Sequence, residues 1–391
     1  MPLFLHILGL AVFAQGTSEF MLSGLVPGIA RDLSVPVGAA ASLTSAYAVG
    51  MIVGAPVMAA LSARWPRRRA LAGLLTAFVL VHVAGAVTTD FAVLFGTRIV
   101  AAIVNAGFLA VAMSVATTLV APAPARRARA TAVLLSGVTL SCVAGVPAGA
   151  LLDAWSGWRS AFWAVAVLCL PALVLVFRSA PTDAAPRHGI SIRRELRTLN
   201  SPPVRTASVL AALVNGATFA TFAYLAVIAS DVAELPAPAV TGLLAAFGAG
   251  AFLGVDIAGR TGADRLRRGV LLALVLLPVG WAVMATTSDR AVPLFLVTAV
   301  QGGLSFGVGT TLVSRVMRVA SDAPAMSGSF ATVALNTGAF LGPLLAGAVT
   351  ETTGDHRHVI WVSAALATAA VAVATVSRTV AGLPGTRPKD R

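Results

Sequence analysis

Long apolar runs alternate along the chain with short breaks carrying Pro, Asp or clustered Arg. A membrane-spanning helix needs about 20 mostly apolar residues. At that length the pattern predicts twelve spans: 3–27, 38–61, 70–88, 91–119, 131–152, 160–178, 206–229, 238–258, 269–287, 291–314, 325–350 and 358–380. The first run is expected to be a span and not a cleaved leader, because no Lys or Arg precedes Arg31 and the run is too long. The longest break, 180–205, is rich in Pro and Arg and is expected to link two halves. The expected organisation is a six-helix bundle over 1–179, the linker 180–205, a second six-helix bundle over 206–380 and a tail over 381–391. The fold class is an all-α polytopic membrane protein.

Composition agrees with lipid as the solvent. Of 391 residues 58% are hydrophobic and 11% are charged, against about 25% charged in soluble proteins. Too few charges remain to coat a surface in water, which excludes soluble domains and disorder. The net charge of +13 would suggest nucleic acid as a partner in a soluble protein. Placed on the predicted loops, it records topology instead. With both termini cytoplasmic, 23 of the 28 Lys and Arg face inward, four (Arg31, Arg159, Arg290, Arg357) face outward and Arg98 lies in a span. That is the positive-inside distribution, so the expected partner is a lipid bilayer, with no nucleic acid.

Other chemistries find little support. Cys142 and Cys169 sit in apolar runs and form no disulfide framework. The single lysine, Lys389, belongs to no phosphate-binding loop, so no ATP-driven engine is encoded. His356 and His358 lack a third ligand for a metal, and the outward acids are scattered over six short loops. No cofactor, no metal and no enzyme is expected.

The two halves also look related. Arg64-Trp65-Pro66-Arg67-Arg68 after span two parallels Asp264-Arg265-Leu266-Arg267-Arg268 after span eight. Leu94-Phe95 and Gly107 recur as Leu294-Phe295 and Gly307, all at an offset of 200. Internal repeats of this kind are common in transporters.

Polar residues inside the spans carry the candidate chemistry, since each costs about 2.5–3.5 kcal/mol at mid-bilayer if ionised. Glu19 and Arg98 lie at a common depth, about 12 and 10 Å below the outer surface at 1.5 Å per residue. A carboxyl buried in low dielectric favours its neutral form, the property a proton carrier needs, so Glu19 is the first candidate for proton coupling. Arg98 cannot release its proton; it either tunes a neighbouring acid or braces the helices. Gln15 shares a helix face with Glu19, and Asn105 shares one with Arg98. Asn215, Gln301 and Asn336 are further intramembrane amides, and Phe219 and Phe222 could stack on a flat hydrophobic substrate, with Tyr224 off their face. His82, alone in span three, is expected to be a hydrogen-bonded packing residue. The pairs Gly50/Gly54, Gly250/Gly254, Gly303/Gly307 and Gly338/Gly342 let helices approach closely, either for static packing or for sliding.

Four stretches together resemble the major facilitator superfamily and, within it, the twelve-helix drug:proton antiporters. Ala63-Arg64-Trp65-Pro66-Arg67-Arg68-Arg69 resembles the loop motif after helix two. Arg98 stands at the arginine of the helix-four motif, and Gly137 with Gly145-Val146-Pro147-Ala148-Gly149 is similar to the helix-five antiporter motif. Gly157-Trp158-Arg159 with Phe162 resembles the entry to helix six. Phe13 to Met21, Ala106 to Ala112 and Gly302 to Gly309 are similar to actinobacterial chloramphenicol resistance exporters. The resemblance implies two pseudo-symmetric bundles, chloramphenicol or a similar small hydrophobic drug as substrate, protons as the counter-ion and a monomer. The intramembrane amides and rings Gln15, Asn105, Asn215, Phe219, Phe222, Gln301 and Asn336 are the expected substrate contacts. The resemblance also implies conformational gating by Arg64, Arg67, Arg68, Asp264, Arg265, Gly145, Pro147 and Gly149. The chain departs from the pattern at Ala63 and Pro66, where relatives have an acid and a glycine, and at Ala101-Ala102 in place of Gln-Gly. The same fold carrying a sugar, a metabolite or an unrelated drug is the alternative.

Overall fold

The computed structural model describes residues 3–62, 65–119, 124–179, 197–260, 263–320, 322–323 and 326–381. Thirteen helices are described: α1 (Leu3–Phe20), α2 (Leu22–Asp32), α3 (Val37–Ser62), α4 (Arg67–Val87), α5 (Phe91–Leu119), α6 (Pro124–Ser156), α7 (Arg159–Ser179), α8 (Pro202–Phe222), α9 (Ala237–Arg260), α10 (Ala263–Thr287), α11 (Ala291–Val319), α12 (Ser327–Thr353) and α13 (His358–Ala381). A 3₁₀ turn at Thr198–Asn200 precedes α8, and Leu225–Val227 runs into a π-helix at Ile228–Val232. No strand occurs among the described residues.

These helices suit lipid on their outer faces. Large apolar side chains such as Leu80, Val292 and Leu296 are 63%, 70% and 65% exposed, a surface that would aggregate in water. Among the described residues nine helices can cross a bilayer by length and composition, and the bent pair α1–α2 makes a tenth span. The helices α6 and α10, of 33 and 25 residues, are described only in part and fall outside that count.

Two predicted spans are not single helices. Run 3–27 is α1 plus α2, bent by 49° at Met21 and extended to Asp32. Run 206–229 begins earlier, at Pro202, which suits the first turn of a helix because it lacks an N–H. It breaks at Ala223–Tyr224 and ends in the π-helix. Run 131–152 lengthens to Pro124–Ser156, and Pro147 sits inside an unbroken helix. Apolar runs report which residues enter lipid; they do not report where the backbone bends inside it.

Small residues set the packing within each half. α3 lies on α5 and α9 on α11, and α8 lies on α12. A Cβ at Gly254 would fall 2.0 Å from the carbonyl oxygen of Gly303, so the backbones of α9 and α11 touch directly. Gly50, Gly250, Gly338 and Gly342 make the same kind of approach to α5, α11 and α8. All these glycine faces are therefore within-half packing and not sliding surfaces between halves.

The halves meet mainly where α3 runs antiparallel to α12, and where α6 meets α9. Ser45 Oγ donates to the Phe340 carbonyl at 2.8 Å, and Ser329 Oγ donates to the Ala55 carbonyl at 3.3 Å. Ten residues of α3 separate these bonds, about 15 Å of helix. We call the end bearing Asp32 upper and the end bearing Trp65 lower. At the upper end α2 packs against the Leu225–Val227 stretch. At the lower end Ala59 packs with Met326 and Phe330. The seam is thus closed at both ends.

Candidate functional site

The densest polar cluster lies inside the first half, where α1, α3, α4, α5 and α7 converge. Arg98 on α5 is 1% exposed. Its Nη1 donates to Ser18 Oγ at 2.9 Å and its Nη2 to the Ser18 carbonyl at 2.7 Å. The guanidinium lies 4.8 Å from the centre of the Tyr47 ring and 5.5 Å from that of Phe162. Ser18 Oγ also lies 2.6 Å from His82 Nε2, and His82 Nδ1 lies 2.7 Å from the Phe78 carbonyl. A carbonyl can only accept, so in neutral His82 the proton sits on Nδ1 and Nε2 accepts from the Ser18 hydroxyl. The chain of donors therefore runs from Arg98 through Ser18 and His82 to Phe78. Tyr47 closes the other side by accepting from Asn105 Nδ2 at 2.8 Å.

Glu19 is the next residue after Ser18 and attracts Arg98 electrostatically. It does not take the guanidinium's hydrogen bonds. Among the described residues the ion pair within 4.0 Å is Arg159–Asp32, at the upper end. Arg98 spends its fork on Ser18, which leaves the half-buried Glu19 carboxyl without a hydrogen-bond partner among the described residues. One turn earlier Gln15 is fully buried, and neither its Oε1 nor its Nε2 finds a partner among them. Glu19 and Gln15, one turn apart, are the groups on this stretch of the helix with hydrogen-bonding capacity left over.

In the second half the expected amides are mostly committed. Asn215 Nδ2 donates to the Leu335 carbonyl at 2.8 Å and acts as a strut between α8 and α12. Asn336 Nδ2 donates to the Thr332 carbonyl of its own helix at 3.0 Å. Gln301 Nε2 donates to the Leu277 carbonyl at 3.0 Å, while its Oε1 is unpartnered among the described residues. Phe219 and Phe222 do pair, 5.6 Å apart, and they begin a longer series. Phe222 meets Phe247 at 4.8 Å, Phe247 meets Phe306 at 6.0 Å, and Phe306 meets Phe20 of the first half at 6.3 Å. This aromatic series crosses the seam and ends beside Glu19. Tyr224 lies beyond the break in its helix, 6.5 Å from His356.

The expected gating residues divide by location. At the lower end Arg68 donates to the Phe177 carbonyl and joins α4 to α7 within one half. Arg67 lies in the first turn of α4. Arg64 is outside the described residues, as are the side chains of Asp264 and Arg265 at the start of α10. Gly145 and Gly149 bring α6 against the bend between α1 and α2: their Cβ positions would lie 3.1 Å from Thr17 Cα and 2.9 Å from Met21 Cβ. At the upper end Trp158 Nε1 donates to Asp32 at 3.0 Å, Arg159 pairs with the same carboxylate, and Arg159 Nη2 donates to the Thr88 carbonyl at 3.0 Å. Gly157, at φ +77°, makes the left-handed turn that presents this pair.

Sequence patterning missed Ser18, Tyr47, Phe20, Phe247 and Phe306. A signal for two of them exists: Tyr47 is one of only two tyrosines, and Phe247 follows it at the same offset of 200 that relates the halves.

Comparison with known proteins places these features in context. A model of the Major Facilitator Superfamily matches residues 8–334. A chloramphenicol resistance protein of Streptomyces lividans is 50% identical over 383 residues, 97% of each chain. An inner membrane transport protein of Escherichia coli K12 is 34% identical over 346 residues, 88% of this chain and 87% of its own. A chloramphenicol efflux pump of Mycobacterium tuberculosis is 28% identical over 361 residues, 89% and 86% of the two chains. Among solved structures, a bacterial homologue of the human lysosomal transporter Spinster, inward-facing and occupied, superposes with a TM-score of 0.67 over 96% of each chain at 16% identity.

Proposed function

The chain belongs to the major facilitator superfamily, and on that premise we propose that it exports chloramphenicol or a similar small hydrophobic drug in exchange for protons. It is a multi-pass membrane transporter. The observation that carries the coupling role is the unpartnered Glu19 carboxyl beside an Arg98 whose hydrogen bonds are spent elsewhere. The relatives named for chloramphenicol support the substrate.

In this mechanism the chain works as a monomer in a bacterial cell membrane, with both termini cytoplasmic and the upper end outside, as the Lys and Arg distribution favours. The halves rock about the α3–α12 seam and expose the aromatic series to one side at a time. Drug stacks on the aromatic rings while Glu19 is ionised. A proton arriving from outside neutralises Glu19 and favours drug release outward, and loss of that proton to the cytoplasm restores the accepting state.

Inverted vesicles under an imposed pH gradient test the assignment. Labelled chloramphenicol should accumulate, the pool should collapse on adding an uncoupler, and unrelated sugars should not compete. Uptake indifferent to the gradient would remove the coupling, and competition by sugars alone would move the substrate class.

The seam gives a separate prediction. With Cys142 and Cys169 replaced, cysteines at Ala55 and Ser329 should be joined by a short bifunctional thiol reagent, because Ser329 Oγ reaches the Ala55 carbonyl. Joining them should lower transport at least about tenfold, since the lower end can no longer part. Full transport by completely cross-linked protein would show that this seam does not open.

A further inference from the structure

His82 is a buried polar side chain for which the proposed exchange of drug and proton has so far no use. It is 1% exposed within the apolar helix α4, and such residues inside a membrane are costly and mark function by default. Its ring is held from two sides. Phe78 lies 4.1 Å and Phe162 5.9 Å from it, centre to centre. Gly85, one turn on, lets α4 close on α7: a Cβ there would lie 3.0 Å from the Phe162 ring. Nδ1 donates to the Phe78 carbonyl at 2.7 Å and is committed to its own helix. A carbonyl passes no proton onward, so this ring is not a relay.

What the fixed ring does is set the Ser18 hydroxyl. That hydroxyl has one proton and two lone pairs. Its proton goes to His82 Nε2 at 2.6 Å. Toward Arg98 Nη1, 2.9 Å away, it therefore presents a lone pair. The neighbouring acid competes for the same guanidinium. Glu19 acts electrostatically on Arg98 and on Tyr47, whose ring centre lies 4.8 Å from the guanidinium. The ionisable groups that meet here are thus Glu19 on α1, Tyr47 on α3, His82 on α4 and Arg98 on α5, while α7 supplies the Phe162 ring. A carboxylate is a stronger acceptor for a guanidinium than a hydroxyl is, yet Arg98 stays on Ser18.

We propose that His82 is a positioning residue for proton coupling: by holding the Ser18 hydroxyl as an acceptor, it keeps Arg98 off Glu19 and leaves that carboxyl open to a proton. The inference rests on the proposed coupling role of Glu19 and adds what keeps Glu19 free. Without the His82 acceptor the hydroxyl proton is no longer directed. Arg98 Nη1 and the hydroxyl can then both turn to the Glu19 carboxylate, and each such bond holds its charge against protonation.

Equilibrium binding of labelled chloramphenicol to the purified full-length chain, followed from neutral to acid pH, tests this. In the proposed exchange drug binds while Glu19 is ionised, so binding is lost as acid neutralises the carboxyl. His82→Phe keeps a ring and removes the acceptor. Its loss of binding should move about one to two pH units toward acid, the worth of one hydrogen bond to a charged group. Ser18→Ala frees the same arm of Arg98 and should move the loss about as far. The two substitutions together should move it no further, because His82 acts through Ser18. His82→Gln keeps an acceptor for the hydroxyl and should titrate as the unaltered chain does. A merely structural His82 would weaken binding equally at every pH. An unmoved midpoint in His82→Phe, an equal movement in His82→Gln, or additive movements in the double variant would overturn the proposal. Binding that no longer falls with acid in His82→Phe would make His82 itself the proton carrier and overturn it too. If His82→Phe does not fold, Ser18→Ala decides: movement toward acid supports the proposal and an unmoved midpoint overturns it. Binding indifferent to acid in the unaltered chain, or an unchanged acid loss in Glu19→Gln, would instead remove the coupling role of Glu19, and this inference with it.

Discussion

Glu19→Gln is expected to abolish export against a gradient while leaving a folded protein that still equilibrates drug across the membrane. The substitution keeps the shape of the side chain and removes only its capacity to ionise. Glu19 is suited to that test because its carboxyl makes no hydrogen bond among the described residues, so no network is lost with the charge. One proton entering across 100 mV supplies about 2.3 kcal/mol, and one unit of pH gradient supplies about 1.4 kcal/mol. Together these support a concentration ratio of about 500 for a neutral drug exchanged one for one. In the Gln variant the ratio should fall to 1. Drug-for-drug exchange, which needs no proton, should continue at a comparable rate. Accumulation and exchange of labelled chloramphenicol in inverted vesicles read both quantities. A variant that still accumulates drug when a pH gradient is imposed would move the coupling role to another residue.

Much of the frame was legible because lipid imposes a one-dimensional rule: a span must be apolar over its whole length. That rule placed the helices, and it flagged Glu19 and Arg98 by their cost. It also put them at one depth, and the fold brings Arg98 onto the residue beside Glu19. Depth is not direction, however. Nothing in the spacing says that Arg98 turns its fork to Ser18, or that Asn215 is consumed as a strut to α12. The bend at Met21 was hidden for a similar reason, since an apolar run reads the same whether straight or broken, and Pro27 lies within the continuous α2. The aromatic series across the seam joins residues as distant as Phe20 and Phe306. Such contacts depend on how the halves face each other, which periodicity within one helix does not encode.

Arg98 is expected to be the position where stability and transport fail together, and graded substitutions separate the two. Arg98→Ala removes two hydrogen bonds between helices, opens the space between Tyr47 and Phe162 and strands the Ser18 acceptors. Interhelical hydrogen bonds in membranes average about 0.6 kcal/mol and reach about 1.7, and a cavity left by a large side chain adds to that. A total loss of about 3 kcal/mol follows, enough to lower the melting temperature in detergent clearly and to abolish export. Arg98→Lys keeps a positive charge beside Glu19 but gives up the planar fork that reaches both Ser18 Oγ and the Ser18 carbonyl. It should recover part of the stability. Ser18→Ala leaves the carbonyl bond and the charge in place but removes the hydroxyl that accepts from Arg98 Nη1 and reaches His82, so it should lose about 2 kcal/mol and keep most transport. If Arg98 acts chiefly by tuning Glu19, Arg98→Lys will export at a substantial rate with a shifted pH profile. If it acts chiefly by bracing α1 against α5, the Lys variant will fail to export at every pH. The fork on Ser18 favours the second outcome, because the bonds that fix α1 at its bend are the ones that only a guanidinium can make. An Arg98→Ala protein that melts with the unaltered chain would remove Arg98 from both roles.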